Sequence, residues 1–136
     1  MNPHGAAFRP PGLLRNRHLQ SILASSRLRK WNARRAARQL IGCAQEYVLE
    51  TDDGVRLQGF LSAQTAVPQA RALIVLLHGW EGRVDSNYVL YTGARLLARG
   101  FDVFRLHFRD HGDTHALNRG LFHSCRIDEV VDAIAV

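Results

Sequence analysis

The feature that most restricts the fold of this 136-residue chain is the stretch LIVLLHGWEG, at residues 73–82. Its apolar part runs without interruption over residues 72–77, which predicts a strand covered on both faces, as in parallel sheets. The run then ends abruptly in His78 and Gly79. Polar loops that are held by a rigid scaffold often carry binding or catalytic groups. We therefore expect a buried strand that positions a functional loop.

A helix and a second apolar strand follow that turn. Residues 87–100, NYVLYTGARLLARG, have apolar side chains at helical spacing, and Gly100 is a typical helix end. Residues 101–108, FDVFRLHF, form the next strand. Because strand, helix and strand follow within about forty residues, the two strands should be parallel in a βαβ unit. A hairpin with its turn at residues 53–54 precedes this unit, so the predicted fold class is α/β.

The charge of the chain is unevenly distributed. The net charge is +6, yet residues 1–45 contain nine Arg or Lys side chains and no Asp or Glu, while the remainder is mildly acidic. We therefore divide the chain into a basic helical arm, residues 1–41, and a globular part, residues 42–136. The basic residues of the arm are Arg9, Arg15, Arg17, Arg27, Arg29, Lys30, Arg34, Arg35 and Arg38.

Such an arm has several conceivable partners. Basic segments contact nucleic acid or anionic membrane surfaces, and an Arg-rich, acid-poor start is also typical of mitochondrial transit peptides. No nucleic-acid recognition fold accompanies the charge, so no nucleic-acid partner is predicted. A weak association with a membrane surface stays open, as do packing against acidic surface of the same protein and the oligomeric state. No transmembrane segment is predicted, and two widely spaced cysteines, Cys43 and Cys125, favour a cytoplasmic location.

Four segments together resemble the N-terminal part of the YheT-like branch of the α/β-hydrolase superfamily. They are FRPPGLLRNRHLQSIL, LLHGWEGRVDSNYV, FRLHFRDHGDT and LFHSCRIDEVVDAI. The resemblance implies a partial α/β-hydrolase sheet, in which an antiparallel hairpin leads into parallel βαβ strands, preceded by the helical arm. It also implies hydrolysis of a carboxylic ester or related acyl substrate through a serine acyl-enzyme, with no cofactor and no metal ion.

The resemblance gives a role to the loop after the buried strand. In such hydrolases the loop after the third strand carries His-Gly, and a backbone N–H in it faces the carbonyl oxygen of the substrate. Here that donor would be the backbone N–H of Trp80, supported by His78 and Gly79. Fixed donors stabilise the negative charge that develops on the oxygen of a tetrahedral intermediate. His78 is expected to be a structural hydrogen-bonding residue and not a base.

A second loop, residues 109–114 with the sequence RDHGDT, resembles the Arg-Gly-x-Gly-x-Ser stretch after the fourth strand of these hydrolases. Asp110 stands where the first glycine of that pattern is expected, so the sequence departs from the pattern there. The resemblance implies a structural loop, in which Arg109 pairs with neighbouring acids and Gly112 permits a tight turn. His111 belongs to the same loop.

The catalytic triad of the superfamily is not found in this chain. The nucleophile lies in Gly-x-Ser-x-Gly, and an acid and a histidine follow later in the sequence. No serine here has glycine both two positions before and two positions after it. We therefore expect that the chain is truncated before the nucleophile strand, that the triad lies beyond Val136, and that the chain is inactive alone. Ser124 is expected to cap the last helix.

Two other functions stay open. Five potential metal ligands lie within residues 107–115, and imidazole and carboxylate suit Zn²⁺ or iron, so this loop could serve a metal-dependent hydrolase. The chain could instead be a non-catalytic basic binding module that acts through its arm. The five potential ligands are His107, Asp110, His111, Asp113 and His115.

Overall fold

The computed structural model describes residues 9–24 and 26–135, which form a mixed α/β structure around an open sheet of four strands. The predicted α/β class is confirmed at this level. In chain order the elements are a 3-10 helix (Gly12–Arg15), α1 (Arg17–Ala24), α2 (Arg27–Ala36), α3 (Arg38–Gly42), β1 (Ala44–Glu50), β2 (Arg56–Ser62), β3 (Leu73–Leu77), α4 (Asn87–Leu97), β4 (Asp102–Leu106) and α5 (Ile127–Ala135).

The strands are arranged in the order β1-β2-β4-β3. β1 and β2 form the predicted antiparallel hairpin, and Gly54 in its turn has a φ of 74°, which glycine adopts without a steric penalty. β2 pairs antiparallel with β4, and β4 pairs parallel with β3. The parallel pairing predicted for the βαβ unit is therefore confirmed.

The apolar strand β3 is less buried than its sequence predicts. Val103 and Leu106 of β4 are fully buried, whereas Leu73 of β3 is 55% exposed and Leu77 is 36% exposed. The expected cover on both faces is present only in the middle of β3, where Leu76 and Val75 pack against the core clusters on opposite faces of the sheet. The reason is its position, because β3 pairs with a single strand among the described residues and lies at an edge of the sheet.

One face of the sheet packs against α2, α3 and α4. The core on this side includes Ala33, Ala37 and Leu40 from the basic segment, together with Leu90 of α4 and Val103 of β4, and all five are fully buried. The alanines recur at helical spacing, which places them on one face of the segment. The second half of the arm therefore belongs to the same core as the sheet.

Leu40 lies where α3 meets α4. A Cβ at Gly93 of α4 would lie 2.8 Å from Cδ2 of Leu40, so this close approach depends on glycine. The backbone carbonyl of Leu40 accepts a hydrogen bond from the buried hydroxyl of Ser62 at 2.7 Å. Leu40 thus joins α3 both to α4 and to the sheet.

The opposite face of the sheet is covered in part by α5. Val130 and Ala133 of α5 pack with Leu57, Phe104 and Leu106 in a second core cluster. α1 differs from the other long helices, because none of its residues is buried. Within residues 9–24 and 26–135, no helix has the combination of length and apolar character that crossing a bilayer requires.

The first prediction tests whether the arm is part of the core. Leu40→Ala should lower the free energy of unfolding by about 2–5 kcal/mol, because it leaves a cavity between α3, α4 and the sheet. Ile41→Ala is the matched control, because Ile41 follows Leu40 directly and its side chain is 41% exposed. The control should cost less than about 1 kcal/mol in a urea titration followed by circular dichroism. Equally small losses for both variants would contradict this packing.

Candidate functional site

The loop between β3 and α4 is held at its start by His78, which is 4% exposed. Its Nε2 accepts a hydrogen bond from the Phe108 backbone N–H at 3.2 Å, and its Nδ1 lies 2.9 Å from the Gly79 carbonyl oxygen. Because Nε2 accepts, Nδ1 carries the proton and donates to that carbonyl. This geometry is consistent with the structural role expected for His78.

The backbone of the same loop is fixed on both sides of Trp80. The Gly79 N–H donates to the Tyr88 hydroxyl at 2.5 Å, and the Gly82 N–H donates to the Gly79 carbonyl oxygen at 2.8 Å. The Trp80 N–H, in contrast, donates to no acceptor among the described residues. Glu81 has a φ of 53°, a conformation that non-glycine residues adopt mainly in turns and at functional sites. An available N–H in a fixed loop is what an oxyanion donor requires.

A second buried histidine connects this loop to the one after β4. Nε2 of His107 accepts a hydrogen bond from the Val84 N–H at 3.2 Å, and Nδ1 lies 2.9 Å from the His111 carbonyl oxygen. The ring is 2% exposed and must donate from Nδ1, since Nε2 is an acceptor. The sequence offered His107 only as a metal ligand, so this bridging role was missed.

Burial keeps both histidines neutral at pH 7. The pKa of His78 is lowered to about 4, mainly by burial and in part by the neighbouring His111 and His107 rings, while the hydrogen bond to the Gly79 carbonyl acts in the opposite direction. Burial also lowers the pKa of His107, and the positive charge of Arg83 acts in the same direction. A neutral ring offers one donor and one acceptor, which is what the backbone partners of each histidine need.

The loop after β4 is anchored to α5 by Arg109. Its guanidinium contacts both carboxylate oxygens of Glu129, at 2.7 and 3.0 Å. The two side chains are only 10% and 15% exposed, and Arg126 adds a further contact to Glu129 at 2.8 Å. A bidentate pair of this kind fixes both partners in orientation. The pairing with an acid that the resemblance implied for Arg109 is present.

Two left-handed residues shape the same loop. Asp110 has a φ of 59° and Gly112 a φ of 69°. Aspartate is one of the few non-glycine residues that reach this region readily, which explains how Asp110 adopts this conformation. Gly112 is required for a second reason, because a Cβ there would lie 1.9 Å from the His107 ring.

The five possible metal ligands of residues 107–115 do not converge. Among the described residues, no group of three or more His, Cys, Asp or Glu side chains could hold a metal ion. His107 uses both ring nitrogens on backbone groups, Asp113 pairs with Arg83 at 3.1 Å, and His115 contacts Asp110. The geometry therefore gives no support to the metal-dependent hydrolase.

Ser124 and Cys125 lie in an exposed turn before α5. The residue that directly precedes α5 is Arg126, whose N–H donates to the His123 carbonyl at 3.1 Å. The prediction that Ser124 caps this helix is therefore wrong. In the described part of the chain, no histidine forms a hydrogen bond with Ser124 that would activate it as a nucleophile.

A cleft of about 960 Å³ opens between α2 and the loop that follows β3. Trp31 and Arg34 lie on the α2 side, and Glu81 and Tyr88 lie on the other. Arg34 joins the two sides through a contact with Asp85 at 2.8 Å. The sequence did not reveal this cleft, because it exists only where α2 packs beside α4.

A cluster of aromatic rings contacts the Trp80 side chain through Phe122. The ring of Phe122 lies 5.8 Å from that of Trp80 and 5.1 Å from that of Phe108, between ring centroids. His111 completes the group at 4.8 Å from Phe122. This aromatic cluster provides apolar surface beside the Trp80 side chain, which is 71% exposed.

A scan against protein-family models and a search of curated proteins found no match to this chain. The fold and the site define an α/β protein whose two histidine-linked loops follow the parallel strands β3 and β4.

The second prediction tests the left-handed turn beneath His107. Gly112→Ala should lower the free energy of unfolding by about 2–3 kcal/mol, because the left-handed conformation costs about 1–2 kcal/mol and the new methyl group clashes with the ring. Gly42→Ala is the matched control, since no atom lies within 4 Å of the position that a Cβ would take there and its φ is not positive. The control should be neutral or slightly stabilising in thermal unfolding. Equal effects would show that the turn tolerates a side chain.

The third prediction concerns pH. The contribution of neutral His78 to the free energy of unfolding should be fully present above about pH 6.5 and should be lost as the pH falls towards 4. The reason is that this histidine binds a proton in the unfolded chain over that pH range but stays neutral in the folded protein. His78 alone accounts for at most about 3 kcal/mol of this loss. His78→Gln should flatten the pH dependence of the unfolding free energy, whereas His123→Gln, at an exposed position, should leave it unchanged. An unaltered slope in the His78 variant would contradict this assignment.

Proposed function

We propose that residues 1–136 form the oxyanion-hole side of a serine hydrolase of the α/β-hydrolase superfamily, in its YheT-like branch. The substrate class is a carboxylic ester, and the reaction passes through a serine acyl-enzyme. The observation that carries the proposal is the Trp80 N–H, which has no acceptor among the described residues although the loop around it is fixed.

The position of this N–H in the fold supports the proposal. β3 and β4 are parallel neighbours, so the loops after their carboxyl ends lie side by side. Ligands of open α/β sheets bind outside the carboxyl ends of the strands. The buried rings of His78 and His107 connect the two loops and hold this edge of the sheet in one arrangement.

The residues have separate roles in this proposal. The Trp80 N–H donates to the developing oxyanion, a contribution worth about 10²–10³ in kcat in other acyl-transfer sites. The aromatic cluster of Phe108, His111 and Phe122 provides apolar surface beside the exposed Trp80 side chain, where the acyl part of a substrate would bind. His78, Gly79 and the Arg109–Glu129 pair position the loops and exchange no proton with substrate. None of the serines in residues 1–136 lies in the nucleophile motif, so this segment stabilises charge and does not supply the attacking group.

The fourth prediction is that the 136-residue chain does not hydrolyse p-nitrophenyl butyrate above a blank. An oxyanion donor without a nucleophile leaves only weak residual catalysis. The assay is release of p-nitrophenol, together with labelling by a fluorophosphonate probe. Turnover that is abolished by Ser124→Ala and blocked by the probe would overturn both the proposed division of roles and the structural view of Ser124.

The superfamily assignment is tested on the coding DNA beyond codon 136. Gly-x-Ser-x-Gly in a following reading frame supports the proposal, and its absence from all frames contradicts it. In the protein that contains both segments, Trp80→Pro removes the backbone N–H while Trp80→Ala keeps it. We expect the proline variant to lower kcat by about 10²–10³ relative to the alanine variant. Equal kcat values in the two variants, with unchanged circular dichroism, would exclude Trp80 as the donor.

A further inference from the structure

The outer face of α2 exposes large apolar side chains. Leu28 is 68% exposed and Trp31 is 55% exposed. They lie three positions apart, on the side of the helix opposite to the buried Ala33. Arg35 follows on the same outer side, with its guanidinium carbon 5.4 Å from the centre of the Trp31 ring. The only buried residue of α2 is therefore the small Ala33, whereas its large apolar residues face outward.

The segment before α2 also exposes apolar side chains. α1 has no buried residue, and Leu23 at its end is 44% exposed. Leu14, in the preceding 3-10 helix, is 37% exposed. Exposed apolar residues that accumulate in one part of a chain commonly mark a site of protein or membrane contact.

α2 also carries positive charge around this surface, and two of its basic residues, Arg29 and Lys30, line the cleft that also contains Glu81 and Asp85. Arg27, Arg29, Lys30 and Arg35 of α2 are exposed, and none of them forms an ion pair among the described residues. Arg34 is the exception in this helix, because it contacts Asp85. The first acidic residue in the sequence is Glu46, so no acid lies within the arm itself. We define the arm surface as Leu23, Leu28 and Trp31 together with Arg27, Arg29, Lys30 and Arg35.

We propose that the arm surface binds an anionic lipid bilayer, with its apolar side chains at the boundary between headgroups and acyl chains. Basic helices with Trp and Leu exposed on one face lie in the plane of such interfaces. Each Lys or Arg near an anionic bilayer contributes to the attraction, and tryptophan suits an interface that is apolar on one side and wet on the other.

Charge and apolar surface together select a bilayer over nucleic acid. The phosphates of a duplex would pair with the arginines but would leave Leu23 and Leu28 exposed to water. Binding to the phosphate backbone of a nucleic acid is mainly electrostatic and buries few apolar side chains. The packing of α2 also disfavours an acidic protein that wraps around a helix. Its inner face is already buried through Ala33, so a partner must approach from the outside, as a planar bilayer does.

This inference does not depend on the proposed hydrolase activity. The arm surface lies on α1 and α2, whereas the proposed donor is the Trp80 N–H after β3. Binding to a bilayer can therefore be measured without a substrate, and its failure would leave the oxyanion proposal intact.

The fifth prediction is tested by flotation with two kinds of vesicle, one of phosphatidylcholine and one with about 30% phosphatidylglycerol. The full chain should float with the anionic vesicles at moderate salt and hardly at all with the neutral ones. In a Trp80→Phe background, Trp31 is the only tryptophan, and its fluorescence should shift to the blue when the anionic vesicles are added. The shift reports entry of that ring into the interface.

Two matched pairs of variants separate the parts of the surface. The triple variant R27Q/R29Q/K30Q should weaken binding at least about tenfold, because three charges leave the interface. The triple variant R95Q/R99Q/R119Q removes the same charge from exposed positions outside the arm and should change binding less than about twofold. L28S/W31S should also weaken binding, whereas Leu121→Ser, at a position that is 74% exposed, should not.

Three results would overturn the inference. One is failure of the full chain to bind the anionic vesicles at low salt. Another is equal loss in the two charge variants, which would indicate attraction by net charge alone. The third is tight duplex DNA or RNA binding that R27Q/R29Q/K30Q abolishes, with no blue shift of Trp31 on vesicles, which would assign the arm to nucleic acid.

Discussion

The neutral state of two buried histidines holds the loops of this protein in place. His78 and His107 each accept a backbone N–H at Nε2 and donate from Nδ1 to a carbonyl oxygen. Protonation would place a hydrogen against each accepted N–H, so the arrangement requires the unprotonated ring. Burial keeps both rings unprotonated, because it lowers the pKa values of His78 and His107. The glycine at 112 follows from the same constraint, because the His107 ring fills the space that a side chain would take.

The second half of the arm packs one face against the core and exposes the other face to solvent. Ala33 and Ala37 let α2 approach α4 closely, and Leu40 fills the space between α3 and the sheet. Small residues on the inner side leave the large apolar residues, Leu28 and Trp31, on the outer side. The core therefore determines which side chains remain for contacts outside the chain, and it also creates the cleft between α2 and the loop after β3.

Several local features could be predicted from the sequence because they depend on neighbouring residues. The hairpin follows from Asp53 and Gly54, and the parallel pairing of β3 and β4 follows from the short connection between them. The sequence overestimated the burial of β3, whose middle packs on both faces while its ends are exposed, because an apolar run does not show how many neighbouring strands it has. The cap assigned to Ser124 was also wrong, because α5 begins at Ile127 as expected but the Ser124 side chain accepts no N–H of its first turn among the described residues.

Some features of the candidate site could likewise be predicted from the sequence, whereas others depend on the tertiary structure. The sequence by itself determined the α/β class, the loop of His78 to Trp80 and the concentration of positive charge before residue 46, because these are properties of short stretches. Only the tertiary structure decided that His107 bridges two loops and that the Trp80 N–H has no described acceptor. Hydrogen-bond partners far apart in the sequence are set by how the strands pack, and a single sequence does not record those distances.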